Sequence, residues 1–227
     1  MIGRFTKTTV EDWTGRDCCR LDFRGTDTRS PYFGNPELWD DEGDYVPLSE
    51  IYEYIHGRKT LEGIILGGEP LRSPNLYTIL KELKKSKVPI RLETNGNRPL
   101  EVDDYAGALM IDCVAVRLFA SPWSDSFLRA MPGIDPGNVA DTLDLLSGLE
   151  VMTEVELVAI PGVVTGESVK EIARTLGKKT VFTIRQFDAK RAPEKSAREL
   201  IPYSRSEASA LFNEAKRFTN KAALKGF

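Results

Sequence analysis

A chain of 227 residues with net charge −3, 41% hydrophobic and 29% charged residues, suits one domain with a sizeable core, and its near-neutral balance calls for no nucleic-acid partner. It has no apolar run of about 18 residues and no signal-peptide pattern, so no membrane partner is expected and a cytoplasmic location is. One histidine (His56) and three cysteines outside any CxxC pairing (Cys18, Cys19, Cys113) leave little room for a His-based triad, a zinc site or a disulfide framework.

In chain order, short apolar runs predict strands over 17–24, 63–66, 90–94, 112–119, 153–160 and 180–187. A long irregular segment, 25–48, follows the first; such loops are usually functional or mobile. Helices are predicted between strands. One covers 49–56. Another, 75–85, carries Leu76, Ile79, Leu80 and Leu83 on one face and Lys84 and Lys85 in its last turn. A third opens at Asp135-Pro136 and runs through Val139, Leu143 and Leu146. A fourth, 168–176, buries Val169, Ile172, Ala173 and Leu176 and stops at Gly177. The last opens on the capping box Ser204-Arg-Ser-Glu207 and continues through Leu211, Ala215 and Phe218. Six strands with helical crossovers imply an α/β fold: a parallel sheet curved into a partial (β/α)6, TIM-like barrel, one domain over 1–227.

Helices cover the outside of a parallel sheet, so outward side chains must be apolar. This sends Cys19, Leu21, Phe23, Ile90, Leu92, Val114, Val116, Leu118, Val155, Leu157, Phe182 and Ile184 outward. Facing in are Cys18, Arg20, Asp22, Arg24, Arg91, Glu93, Arg117, Phe119, Glu154, Glu156, Thr183 and Arg185. Such a lumen is crowded with charges of both signs. Either they pair, as Arg117 with Glu156, or they form a polar ligand pocket; the two are compatible. Glu154 and Glu156, two apart on one face, are candidates to share a proton, and with Arg117 they are the catalytic candidates.

Several segments in order resemble one family. Asp12 and Gly15 frame an opening in which Trp13-Thr14 stand where that family has a proline. Gly25-Thr-Asp-Thr-Arg-Ser-Pro-Tyr-Phe-Gly-Asn-Pro-Glu-Leu38, Gly67-Gly-Glu-Pro-Leu71, Thr94-Asn-Gly96, Pro161-Gly162, Arg185-Gln-Phe187 and Pro202-Tyr-Ser204 follow. Together they resemble the radical S-adenosylmethionine (SAM) activating enzymes, which install glycyl radicals in pyruvate formate-lyase and anaerobic ribonucleotide reductase. The resemblance implies a partial (β/α)6 barrel with 26–47 as the cluster loop. It implies cofactor-binding roles for Tyr32, beside the adenine, and for Gly67, Gly68, Glu69, Pro70 and Asn95. Alternatively the glycines mark tight βα turns and Tyr32 packs the loop on the barrel rim.

The departures matter more. The family's loop reads C-x3-C-x2-C, and those positions here are Thr26, Ser30 and Phe33. Clusters are held by thiolates, so no 4Fe-4S cluster is expected. The family's Asp-x-Lys pair falls on Val116-Arg117-Leu118, and its SAM-contacting arginine aligns near Glu156, so SAM binding is expected to be weak. The expectation is a non-radical pseudoenzyme serving as a regulatory or scaffold subunit, beside an active paralogue or a glycyl-radical-type enzyme. The alternative is a protein that binds SAM or another small polar ligand in the barrel mouth. His56 and the acidic run Trp39-Asp-Asp-Glu-Gly-Asp44 fit a solvated surface.

Overall fold

The computed structural model describes residues 1–13 and 15–227, so Thr14 lies outside the described residues. Among the described residues eight strands form one open sheet in sequence order: β1 (Ile2–Thr9), β2 (Cys18–Phe23), β3 (Gly63–Gly67), β4 (Ile90–Thr94), β5 (Cys113–Leu118), β6 (Met152–Ala159), β7 (Val181–Gln186) and β8 (Ala222–Lys225). β1 and β2 are antiparallel; every other neighbour pair is parallel. The six expected strands are β2 to β7, and the sheet exceeds expectation by an edge strand on each side.

The connections are α1 (Leu48–Gly57), α2 (Leu76–Leu83), α3 (Pro99–Gly107), the single turn α4 (Phe127–Ala130), α5 (Pro136–Leu145), α6 (Gly166–Thr175), the single turn α7 (Lys195–Arg198) and α8 (Arg205–Lys216). Their ends follow local chemistry. The Asp135 carboxylate accepts from Gly137 N–H at 2.8 Å to start α5. Ser204 and Glu207 form the expected capping box on α8. The same device, Thr165 with Ser168, starts α6 two residues earlier than its apolar stripe suggests. Among the described residues no helix is long and apolar enough to cross a membrane.

Side-chain alternation separates two interiors. Cys19, Leu21, Phe23, Leu92, Val116, Leu157 and Ile184 join the main core between sheet and helices. On the inner face, Trp13, Cys18, Ile65 and Cys113 make a small apolar floor. The segment between β2 and α1 is irregular but well tied. Arg24 donates to the carbonyls of Glu37, Glu42 and Asp44 at 2.7, 3.0 and 2.9 Å. Asp27 receives Arg72 at 3.1 Å and Arg98 at 3.2 Å. The acidic run is therefore exposed at its side chains yet anchored through its backbone.

Candidate functional site

Above the apolar floor the lumen holds a ladder of ion pairs linking five arginines and five carboxylates. Arg4 on β1 meets Asp22 at 2.8 Å, and Asp22 meets Arg20 Nε at 2.7 Å. Arg20 reaches Glu93 on β4 at 2.7 Å and stands 3.7 Å from Asp12. Glu93 also faces Arg117 at 3.5 Å and Arg91 at 3.6 Å. Arg117 pairs with Glu156 at 2.7 Å, and Arg185 on β7 stands 2.8 Å from the other Glu156 oxygen, off the line of a good hydrogen bond. Arg91 takes Glu154.

This arrangement decides between two readings of the carboxylates. Burial pushes the Glu93 carboxyl up, but the guanidiniums of Arg117, Arg20 and Arg91 outweigh it and hold it well below the usual carboxylate range. Burial likewise raises Glu156, and Arg117 and Arg185 more than reverse it. Glu154 and Glu156 take different arginines, and Glu156 binds protons less readily than a free carboxyl. They do not form a proton-sharing pair.

The glycine motif ends β3 beside this ladder. A side chain at Gly67 would run into the Arg20 guanidinium and Asp22 carboxylate, so glycine leaves them room. Gly68 has φ +79°, and a Cβ there would lie 2.6 Å from the Phe23 carbonyl oxygen. Glu69, 2% exposed, points away from solvent; it accepts from Thr94 Oγ1 at 2.9 Å and Asn95 N–H at 2.8 Å. Its carboxylate thus ties the two βα turns together. Pro70 is buried in the turn that follows.

Burial raises the Glu69 carboxyl from 4.5 to about 7, against the opposing pull of the Asn95 and Thr94 hydrogen bonds. Between pH 4.5 and 7 the unfolded chain has lost this proton and the folded chain keeps it. Stability contributed here is full below pH 4.5 and falls as pH rises, by on the order of 3 kcal/mol in all. Glu69→Gln keeps an acceptor for Asn95 and is expected to flatten that fall. Urea unfolding at several pH values measures it; an equal slope in both proteins means Glu69 is ionised in the fold.

The loop roofs the lumen. Phe33 lies with its ring 5.1 Å from the Arg117 guanidinium and 5.2 Å from the Phe119 ring. Tyr32 stands edge-on to Phe187 at 6.3 Å. Two spaces meet around Phe33. The one under the roof, touching Gly68, Thr94 and Asn95, holds about 110 Å³. The other opens on the lumen side of the seam between β1 and β8, is lined by residues of β1 and β7 among others, and holds about 470 Å³. Pockets for small-molecule ligands run roughly 300–1,000 Å³, so the seam is large enough for one and the roofed space is not. Of the residues the family resemblance assigns to cofactor, Gly68 and Asn95 line the small space and Tyr32 the large one. Gly67, Glu69 and Pro70 line neither.

The donor set of the loop does not fit an iron–sulfur cluster. Thr26 Oγ1 closes a turn on Thr28, donating to its carbonyl at 2.8 Å. Ser30 Oγ accepts from Tyr32 N–H at 3.3 Å, and Phe33 has no donor atom. The three thiols lie elsewhere. Cys18 and Cys113 sit in the floor and Cys19 in the outer core. Burial pushes them up to about 11, 12 and 12 for Cys18, Cys19 and Cys113, away from the thiolate a cluster needs. Among the described residues no three His, Cys, Asp or Glu side chains are placed to hold a metal ion.

No protein-family profile matches the chain. It is 22% identical over 207 residues, 88% of its length and 85% of the other's, to a Methanocaldococcus jannaschii protein whose name assigns it, provisionally, to the glycyl-radical enzyme activating enzymes. Among solved structures it resembles Streptococcus suis SuiB bound to its precursor peptide SuiA, with TM-score 0.69, 12% identity and 90% of this chain covered. It also resembles the radical SAM enzyme coproporphyrinogen III oxidase (HemN) of Escherichia coli, with TM-score 0.52, 15% identity and 75% covered. The chain spans about half the length of SuiB and less of HemN. The fold is that of the radical SAM barrels, as an open eight-stranded sheet.

Proposed function

We propose that this chain is a radical SAM-type barrel that works without a cluster and without radicals, acting by binding, as a regulatory or scaffold subunit to another protein. The observation that carries this is the roof: hydroxyls closing local turns and a phenyl ring on Arg117 stand at the three positions where the sequence resemblance places the family's cysteines. A cluster anchors SAM through its open iron, so losing it removes the main hold on that ligand. The ladder adds to this, since Glu156 places a carboxylate where the family places an arginine. Support for a protein partner comes from the relatives: one is named for activating glycyl-radical enzymes, and another is bound to a precursor peptide.

The test is anaerobic reconstitution of the purified chain with iron and sulfide, alone and mixed with the active paralogue of its host. Iron is expected to follow the paralogue only, with both proteins eluting as one complex on size exclusion. About four irons on this chain alone, with cleavage of SAM, would falsify the cluster-free reading; separate elution would remove the subunit role.

A further inference from the structure

The sheet does not close, and the place where it fails to close has its own chemistry. Lys225, at the end of β8, donates to the Glu11 carbonyl and ties the seam at one point. Beside it opens the cavity of about 470 Å³. Its walls carry several donors that have no partner among the described residues. Among the described residues Arg191, Thr6 and the Tyr32 hydroxyl have no side-chain hydrogen bond or ion pair, and Arg185 faces only Glu156. The carboxylates that line the cavity do not fill this need. Asp22 is taken by Arg4 and Arg20, Asp12 accepts from the Thr9 hydroxyl at 3.1 Å, and Asp188, like Arg191, is exposed at the rim.

We infer that the seam binds a small molecule carrying a phosphate group. Spare donors call for a ligand rich in acceptors, and guanidinium forks match phosphate oxygens in charge and geometry. The donors come from both walls, Thr6 from β1 and Arg185 and Arg191 from β7 and the turn after it. A tetrahedral group presents oxygens in several directions and meets both walls at once, whereas a planar carboxylate faces one. The cavity exceeds what phosphate fills, which leaves room for the organic remainder. This goes beyond the subunit reading by giving the barrel a small-molecule ligand of its own, and its failure is separable: iron loading and co-elution bear on the cluster and the protein partner and leave the seam untouched.

The probe is inorganic pyrophosphate, titrated by calorimetry at about 0.15 M ionic strength, where surface attraction is screened beyond roughly 8 Å. Saturable binding is expected, weakened about tenfold by Arg191→Gln, the loss of one charge-assisted contact. Arg191 and Thr6 lie outside the ion ladder, so Arg191→Gln and Thr6→Val are expected to fold normally. Thr6→Val is expected to weaken binding less than Arg191→Gln. Citrate, equally charged but planar at each carboxylate, is expected to bind more weakly. No saturable heat with pyrophosphate, equal affinity in both variants and the parent, or citrate binding as tightly each overturns the proposal.

Discussion

Glu93→Gln is expected to lower the stability of the fold by about 3–5 kcal/mol, the cost of removing one partner from a buried ionic network. Glu93, 4% exposed, is the only carboxylate in the ladder facing three guanidiniums, those of Arg20, Arg91 and Arg117. The amide preserves the shape and removes the charge, so the three cations are left to repel one another in a poorly solvated space. Adding Arg117→Met to that variant is expected to recover part of the loss, because one excess cation leaves with it; the double-mutant cycle isolates the coupling. Glu214→Gln on α8 breaks an exposed pair with Arg217 at 2.9 Å and is expected to cost at most about 1 kcal/mol. Urea midpoints at constant m measure these variants and the Arg117→Met single variant that completes the cycle. If Glu93→Gln stays within about 1 kcal/mol of the parent, the ladder is solvated and contributes little.

The same residue sets an acid limit. Because its folded carboxyl titrates below the unfolded value, the stability it contributes is present above pH 4.5 and is lost as pH falls below it. Glu69 works in the opposite direction between pH 4.5 and 7. The two together favour a stability maximum near the bottom of the Glu69 window, on the acid side of neutrality.

How much of this could be seen in the residues depends on whether a strand is buried on both faces. β2 and β4 to β7 have apolar outer faces and inner faces that carry charge, so both the strands and their inward side chains could be read, including the Arg117–Glu156 pair, whereas β3, Gly-Ile-Ile-Leu-Gly, is apolar throughout and was legible only as a strand. β1 could not: Ile2 is its one buried residue, and Arg4, Thr6 and Lys7 give it no apolar face. β8 is four half-buried residues long, and α3 buries only Val102 and Ala106. The seam cavity depends on those unreadable parts, since Arg4 and Thr6 come from β1 and Arg191 from a turn without a pattern of its own. Glu69 shows a different limit. Its motif was legible, but its orientation was not, because nothing in Gly-Gly-Glu-Pro says that the carboxylate turns inward to Thr94 and Asn95.

Restoring thiols at the three loop positions, Thr26→Cys, Ser30→Cys and Phe33→Cys together, is expected to raise iron content after anaerobic reconstitution from none to about four per chain. The rest of the loop is already held: Arg24 fixes its backbone at three carbonyls, and Asp27 is clamped by Arg72 and Arg98. None of these contacts uses the three side chains to be changed. Phe33→Cys also removes the ring from Arg117 and Phe119, widening a space of about 110 Å³ that is too small for a cofactor as it stands. Iron uptake and SAM chemistry should then separate. Glu156 stays between Arg117 and Arg185, at the position where the family resemblance places a SAM-contacting arginine, so the triple variant is expected to hold a cluster and still cleave SAM poorly. Iron and sulfide analysis reads the first part, and release of 5′-deoxyadenosine under reductant reads the second. A triple variant without iron would show that the loop's path, and not only its donors, has changed. One that cleaves SAM at the rate of an active activating enzyme would show that three side chains were the whole distance between this barrel and radical chemistry.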